Sequence, residues 1–98
     1  MVNCKYKTVQ IKKSTKKNKK LMAIFDNLKT VHFGAKGYTD FTLTKDAKRK
    51  SNYLKRHKSS ENWNKCDTAG SLSKHLLWGE TTSLEKNIIR YKRRFSLK

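Results

Sequence analysis

The residues with the clearest chemistry in this chain are its cations. They fall in three runs: KKSTKKNKK at 12–20, KRKSNYLKRHK at 48–58 and RYKRR at 90–94. Lysine offers phosphate a compact point charge, and arginine offers a planar fork that can hold two oxygens at once. The candidate phosphate contacts are Lys12, Lys13, Lys16 and Lys17 in the first run, and Lys48, Arg49, Lys55, Arg56 and Lys58 in the second. Arg90, Arg93 and Arg94 supply the third run. Lys36 is added because it sits inside Gly34-Ala35-Lys36-Gly37. A G-x-x-G loop lets backbone amides approach a phosphate, as in the KH fold, and a glycine turn can expose a small anion nest. That KH loop joins two helices, whereas this one leaves a strand. Its first expected role is therefore to turn the chain out of the sheet and lay Tyr38 and Phe41 on the core.

Other chemistries find less support. His32, His57, His75, Cys4 and Cys66 are metal-ligand types, but no C-x2-C or H-x3–5-H spacing pairs them. No metal and no cofactor are expected. Catalysis lacks paired carboxylates, since acids are scarce and Asp40 and Asp46 are six residues apart, and His57 with Asn62 would leave Glu61 alone to hold a metal. The chain is read as non-enzymatic. Trp63 and Trp78 have the faces to stack on bases, but in a chain this poor in core residues they are expected to pack.

Lys and Arg number 25 against 7 Asp and Glu, a formal charge of +18 with a pI near 10.2. Self-repulsion at this density opposes compaction, and a polyanion relieves it. Nucleic acid is the leading partner; acidic proteins and anionic membranes compete. The chain has no apolar run of membrane-spanning length and no secretory leader pattern, so it is expected to be neither membrane-embedded nor secreted. Two cysteines this far apart suggest reduced thiols.

These cations must be held by one domain, residues 1–98, of α+β class: a small three-stranded antiparallel sheet packed with about three helices. Residues 1–42 read as a β meander. Val9 and Ile11 share one face of the first strand, KLMAIFDN reads as a strand covered on both faces, and Val31 and Phe33 share a face of the third. Asp26-Asn27 suits a tight turn, and KKSTKKNKK reads as a hairpin loop. Residues 43–98 read as helical. Thr44 or Asp46 caps a helix to about Lys58, with Ala47, Tyr53, Leu54 and His57 inward and the cations opposite. SLSKHLLW is a short helix ended by Gly79 as a left-handed cap. Thr82 and Glu85 have capping-box spacing. Leu84, Ile88, Tyr91 and Phe95, widened by Ile89, form a continuous face expected to lie on the sheet.

Three segments carry a resemblance: TVHFGAKGYTDFT at 30–42, KDAKRKSNYLKRHKSSENW at 45–63 and TAGSLSKHLLW at 68–78. Together, over about residues 8–95, they resemble a family of small basic proteins encoded by nucleocytoplasmic large DNA viruses. The matching residues are His32, Phe33, Gly34, Gly37, Tyr38, Asp40, Phe41, Thr42, Tyr53, Arg56, His57, Glu61, Asn62, Trp63, Ala69, Gly70, Leu76, Leu77 and Trp78. The chain departs from that pattern at Leu28, where glycine is expected, and near Ala47, where proline is. The resemblance implies a viral origin and brings no catalytic residues. It points to the virion and the host nucleus or cytoplasmic viral factory as the location. The expected function is then viral DNA association or genome packaging by phosphate neutralisation, with double-stranded DNA favoured and RNA the alternative. The rival is a minor virion protein that binds acidic capsid or core proteins.

Overall fold

The computed structural model describes residues 4–37 and 39–98. Its α+β architecture starts with a meander of β1 (Val9–Lys13), β2 (Lys19–Phe25) and β3 (Lys29–Ala35), all antiparallel and in that order across the sheet. Val9 lies opposite Phe25, Ala23 lies between Ile11 and Val31, and Leu21 faces Phe33. Side chains alternate along a strand, so this register gathers Val9, Ala23, Phe25 and Phe33 on one buried face. The other face carries Gln10, Lys12, Thr30 and His32, with Met22 and Ile24 only half-buried among them. The expectation that β2 is covered on both faces is therefore corrected: one face meets the helices and the other stays largely open. The basic hairpin loop is also shorter than read, because Lys12 and Lys13 belong to β1 and Lys19 and Lys20 to β2.

Asp26 and Asn27 both take left-handed φ values, 52° and 58°, and Leu28 N–H closes the turn on Phe25 O at 2.8 Å. Two such residues match the twist of the flanking strands. The Asp26 carboxylate accepts from Thr8 N at 2.8 Å and Lys7 N at 3.0 Å, tying the segment before β1 to this turn. Those bonds, Thr8's foremost, hold its carboxyl below the usual range. The chain end covers the outer edge of β1: Lys98 N donates to Lys7 O and Val9 N to Lys98 O. Covering an edge removes a row of unpaired backbone groups.

The helical half begins with a short turn not foreseen, α1 (Phe41–Thr44), capped by Asp40 and ended by Lys45 at φ 56°. Asp46, not Thr44, caps α2 (Ala47–His57), accepting from Lys48 N at 3.0 Å and Arg49 N at 3.2 Å. Ala47 is exposed, so the inward stripe of α2 is Tyr53, Leu54 and His57. α3 (Ala69–Leu72), capped by Thr68, runs directly into a π-helical turn, Ser73–Leu77, closed by Trp78 N–H on Ser73 O at 3.0 Å. α4 (Leu84–Arg94) is capped by Ser83, one residue later than the Thr82/Glu85 capping box would place it. Gly79 is likewise not a left-handed cap. It is required because a Cβ there would lie 2.3 Å from His75 O and 2.9 Å from Asn87 Cγ. This close approach lets Asn87 Nδ2 reach Leu76 O at 2.9 Å and satisfy a carbonyl that the end of the helix leaves open.

Leu72, Leu76 and Leu77 are buried, as are Tyr91 and Phe95. Ile89 is 53% exposed, and the apolar face of α4 is widened instead on its other side, by buried Asn87. α3 packs on β3, and α4 docks chiefly on the π-helical turn. The expectation that α4 lies on the sheet is corrected, because the leucines of α3 and its π turn already occupy that face. Cys4 and Cys66 are joined in a disulfide across 62 residues, which overturns the expectation of reduced thiols. Spacing could not show this pairing; the folded chain brings their Cα atoms to 5.6 Å. Tyr91 O–H donates to the carbonyl of Cys66 at 2.6 Å, so α4 holds the same loop from the other side.

Two predictions follow from this packing. The disulfide removes loop-closure entropy from the unfolded chain worth about 4 kcal/mol for a loop of this length. Reduction, or Cys4→Ser with Cys66→Ser, should lower the unfolding free energy by an amount of that order in a urea titration. His75 contacts Trp63 O through Nε2 at 2.9 Å and sets its ring edge-on to Phe95. Burial, above all, lowers its pKa from 6.5 to about 4. Because the unfolded chain takes up this proton first, stability should be full above pH 6.5 and fall towards about pH 4. His75→Gln keeps a donor for Trp63 O without titrating; the loss of urea midpoint between about pH 7 and about pH 5 should shrink in that variant.

Candidate nucleic-acid interface

The acids explain where the cations stand. Asp26 and Asp46 bind backbone amides. Asp40 pairs with Lys20 at 2.7 Å, Asp67 with Lys29 at 2.8 Å, Glu61 with His57 at 2.8 Å and Glu80 with Arg90 at 2.7 Å. Glu85 sits in the first turn of α4, where the helix dipole favours it. Burial pushes the Asp67 carboxyl up, but the hydrogen bond and charge of Lys29 more than reverse this and hold it below the usual range. Among the described residues, only Lys20, Lys29 and Arg90 of the 25 Lys and Arg form an ion pair with an acid, which leaves 22 without one.

All the expected phosphate contacts are exposed: Lys12 and Lys13 on β1, Lys16 and Lys17 in the hairpin loop, Lys36 beyond β3, four on α2 with Lys58 at its C-cap, and three on α4. The structure sorts them further. Lys36 N–H donates to Asn18 O, so Lys36 and the hairpin loop lie at one end of the sheet, and that amide is not free to bind a phosphate. On α2 the cations divide by helical phase. Lys48, Lys55 and Lys58 share one side; Arg49 and Arg56, two turns apart, line a cleft of about 600 Å³. Lys19 and Lys20 enter the same cleft from β2. Neither is among the expected phosphate contacts. On α4, Arg90, Arg93 and Arg94 join Lys74 around a smaller hollow of about 350 Å³. Lys74 reaches over the Trp63 ring at 5.3 Å, and burial, then the nearby charge of Arg94, lowers its pKa.

The larger cleft lies between the hairpin end of the sheet, α2 and α3 with its π turn. Its wall holds a stack of rings: Tyr53 lies against His57 at 4.1 Å and against Trp78 at 4.3 Å, nearly parallel to the latter. Burial, with a contribution from the Glu61 charge, raises the Tyr53 hydroxyl to about 12. Glu61 joins the walls, accepting from Trp63 Nε1 through one oxygen and meeting His57 Nδ1 with the other, each at 2.8 Å. The wide π turn brings Ser73 and Leu77 to the cleft, with Trp78 just beyond it. Asp40, 2% exposed, caps α1 and binds Lys20 and Thr42. Arg49 donates to Thr39 Oγ1 at 2.8 Å. No group of three or more metal-ligand side chains assembles among the described residues, and the disulfide takes both thiols.

The two ends of the G-x-x-G segment differ. Gly37, at φ 90°, turns the chain in open space. Gly34, at φ 79°, is still within β3, and a Cβ there would come within 2.8 Å of Leu77 Cδ1. It lets α3 settle onto the sheet and forms part of the cleft floor. The expected placement of Tyr38 on the core lies outside the described residues, and Phe41 is half-buried beneath Lys50 Nζ. Trp63 and Trp78 are held by protein contacts, and Trp78 also borders the cleft.

Gly70 is the tightest fit in the wall. A Cβ there would lie 2.8 Å from Glu61 Cδ and 3.0 Å from its Oε1. That carboxylate cannot swing away without losing His57 and Trp63. Gly70→Ala should cost about 1–3 kcal/mol in a denaturant titration and shift the Trp63 indole N–H resonance.

Many of the residues that carried the sequence resemblance meet in this cleft, among them Phe33, Gly34, Asp40, Tyr53, Arg56 and His57, with Glu61, Gly70, Leu77 and Trp78 completing the wall. No curated protein and no solved structure matches the chain. One family model matches residues 9–57, the span that contains the whole sheet, α1 and α2. On that match the chain belongs to the DUF5754 family, a family of unknown function.

Proposed function

We propose that this protein binds nucleic acid without catalysing a reaction on it, by neutralising phosphates and releasing their counterions, with little reading of base sequence. The observation that carries this reading is the commitment of the acids. Six of the seven carboxylates are held by partners within the fold, in caps, turns and pairs, and among the described residues only three of the cations are paired with them, so the charge of 22 Lys and Arg is left for a partner. These cations stand on the sheet, the hairpin loop, α2 and α4, which suits an extended polyanion. The resemblance to proteins of large DNA viruses favours double-stranded DNA and a place in the virion or viral factory. A lipid surface fits less well, because Tyr91 and Phe95, on the apolar face of α4, are buried in the core.

The test is a salt series on duplex DNA and on RNA, with heparin as a polyanion that lacks bases. If 6–10 phosphates are contacted, affinity for DNA should fall roughly 10³–10⁵-fold between about 50 and about 200 mM salt. Replacing Lys48, Lys55 and Lys58 by Glu should weaken binding to all sequences alike. A nearly flat salt dependence, or no binding in dilute buffer, rejects the reading and favours an acidic protein partner.

A further inference from the structure

The cleft differs chemically from the rest of the basic surface. Most other cations project outward from strands and helices, and the smaller hollow beside α4 brings Lys74 and three arginines together around His75 and Tyr91. At the larger cleft, Lys19, Arg49 and Arg56 border a concavity that also contains the Asn52 amide and the rings of Tyr53 and Trp78. Its volume, about 600 Å³, is in the range of small-molecule sites. A flat cationic face needs no aromatic wall to bind duplex phosphates. A pocket that combines guanidinium forks, an amide and ring surface matches the parts of a nucleotide: a phosphate, a polar edge and a flat base.

The charges inside the cleft favour an anion. Its two carboxylates are both already bound. Asp40 is held by Lys20 and by Thr42, and Glu61 by His57 and Trp63. Asp40 carries the charge of Lys20 against its own, and both Glu61 oxygens are taken up by contacts to His57 and Trp63. Among the described residues Lys19 and Arg56 have no hydrogen-bond or ion-pair partner for their side chains, and Arg49 uses only Nη1, on Thr39. The two guanidinium stems leave α2 two turns apart, roughly 10 Å along its axis, a gap that two long side chains leaning towards each other can close on one phosphate.

We propose that this cleft is a binding site for one unpaired nucleotide, with its phosphate held by Arg49, Arg56 and Lys19 and its base against the Tyr53–Trp78 wall. The site deepens the nucleic-acid reading and rests on it for the source of the ligand. The outward lysines hold the strand generally, and the cleft receives a nucleotide that is free of a base pair, at a strand end or in a single-stranded stretch. Recognition depends on the flat face shared by all bases, so little base preference is expected.

The test titrates the full chain with a nucleoside 5′-monophosphate, the matching nucleoside, inorganic phosphate, a short single strand and duplex DNA. Three proteins are compared: the natural chain, Arg49→Gln with Arg56→Gln, and Lys48→Gln with Lys55→Gln. Both double variants lose the same charge from the same helix, and a thermal melt checks that each is folded. The monophosphate should bind the natural chain more tightly than nucleoside or phosphate alone, with shifts in the Tyr53 and Trp78 ring resonances. The arginine variant should lose about tenfold or more in affinity for the monophosphate and the single strand, as expected for charge-assisted forks. The lysine variant should keep the monophosphate within about threefold and lose less single-strand affinity than the arginine variant, while losing duplex affinity as much as the arginine variant does. Equal losses of single-strand affinity in the two variants would overturn the site and leave the general nucleic-acid reading standing. So would failure of the monophosphate to bind the natural chain. Binding of the monophosphate with no binding of either strand would uphold the pocket for a free nucleotide and reject the nucleic-acid reading instead.

Discussion

A chain of 98 residues with a formal charge of +18 must fold against its own repulsion, and it has seven carboxylates with which to do so. Six of them hold a partner within the fold, and Glu85 sits in the first turn of α4. Asp40 starts α1 and anchors Lys20 of β2, joining the helical half to the sheet. Such a buried ion pair is costly to break, because removing one partner leaves the other charge without compensation. Asp26 ties the chain ahead of β1 to the β2–β3 turn, and Glu61 locks two walls of the cleft together. The acids thus act as internal fasteners, and the positive surface is a consequence of that use.

The remaining cohesion comes from a small core and one covalent tie. Phe25, Phe33, Leu72, Leu76, Tyr91 and Phe95 form its centre. The disulfide fastens the segment before β1 to the loop ahead of α3, where Tyr91 also bonds to the carbonyl of Cys66. A thin core gains most from a cross-link that spans a long stretch of chain, since the entropy removed from the unfolded state rises with loop length. The π turn serves a different end. Its wider winding, with Asn87 satisfying the Leu76 carbonyl and Gly79 allowing the approach, helps set Leu77 and Trp78 against the sheet and α2. Single π turns recur at functional sites, and this one borders the cleft.

Much of the fold was legible from local pattern. Alternation identified the buried faces of β1 and β3, Asp26-Asn27 marked its turn, and the Leu84/Ile88/Tyr91/Phe95 spacing described the inward side of α4. These features depend on near neighbours in sequence. The misreadings share a cause: each needed knowledge of what lay across the fold. Lys19 looked like loop because the run of lysines hides the start of β2. Ile89 looked buried because α4 was assumed to meet a broad sheet, when it meets a narrow π turn. Gly79 looked like a cap, yet its role is set by Asn87 eight residues later.

The sequence by itself determined the excess of cations, the class of fold and the elements that carry the charge, because composition and periodicity are local properties of a chain. Tertiary structure alone decided that Cys4 meets Cys66, which cations the carboxylates pair with, and that a cleft opens along the side of α2 that carries its two arginines. Those outcomes depend on distances between residues far apart in the chain, and such distances exist only once the sheet and helices have packed.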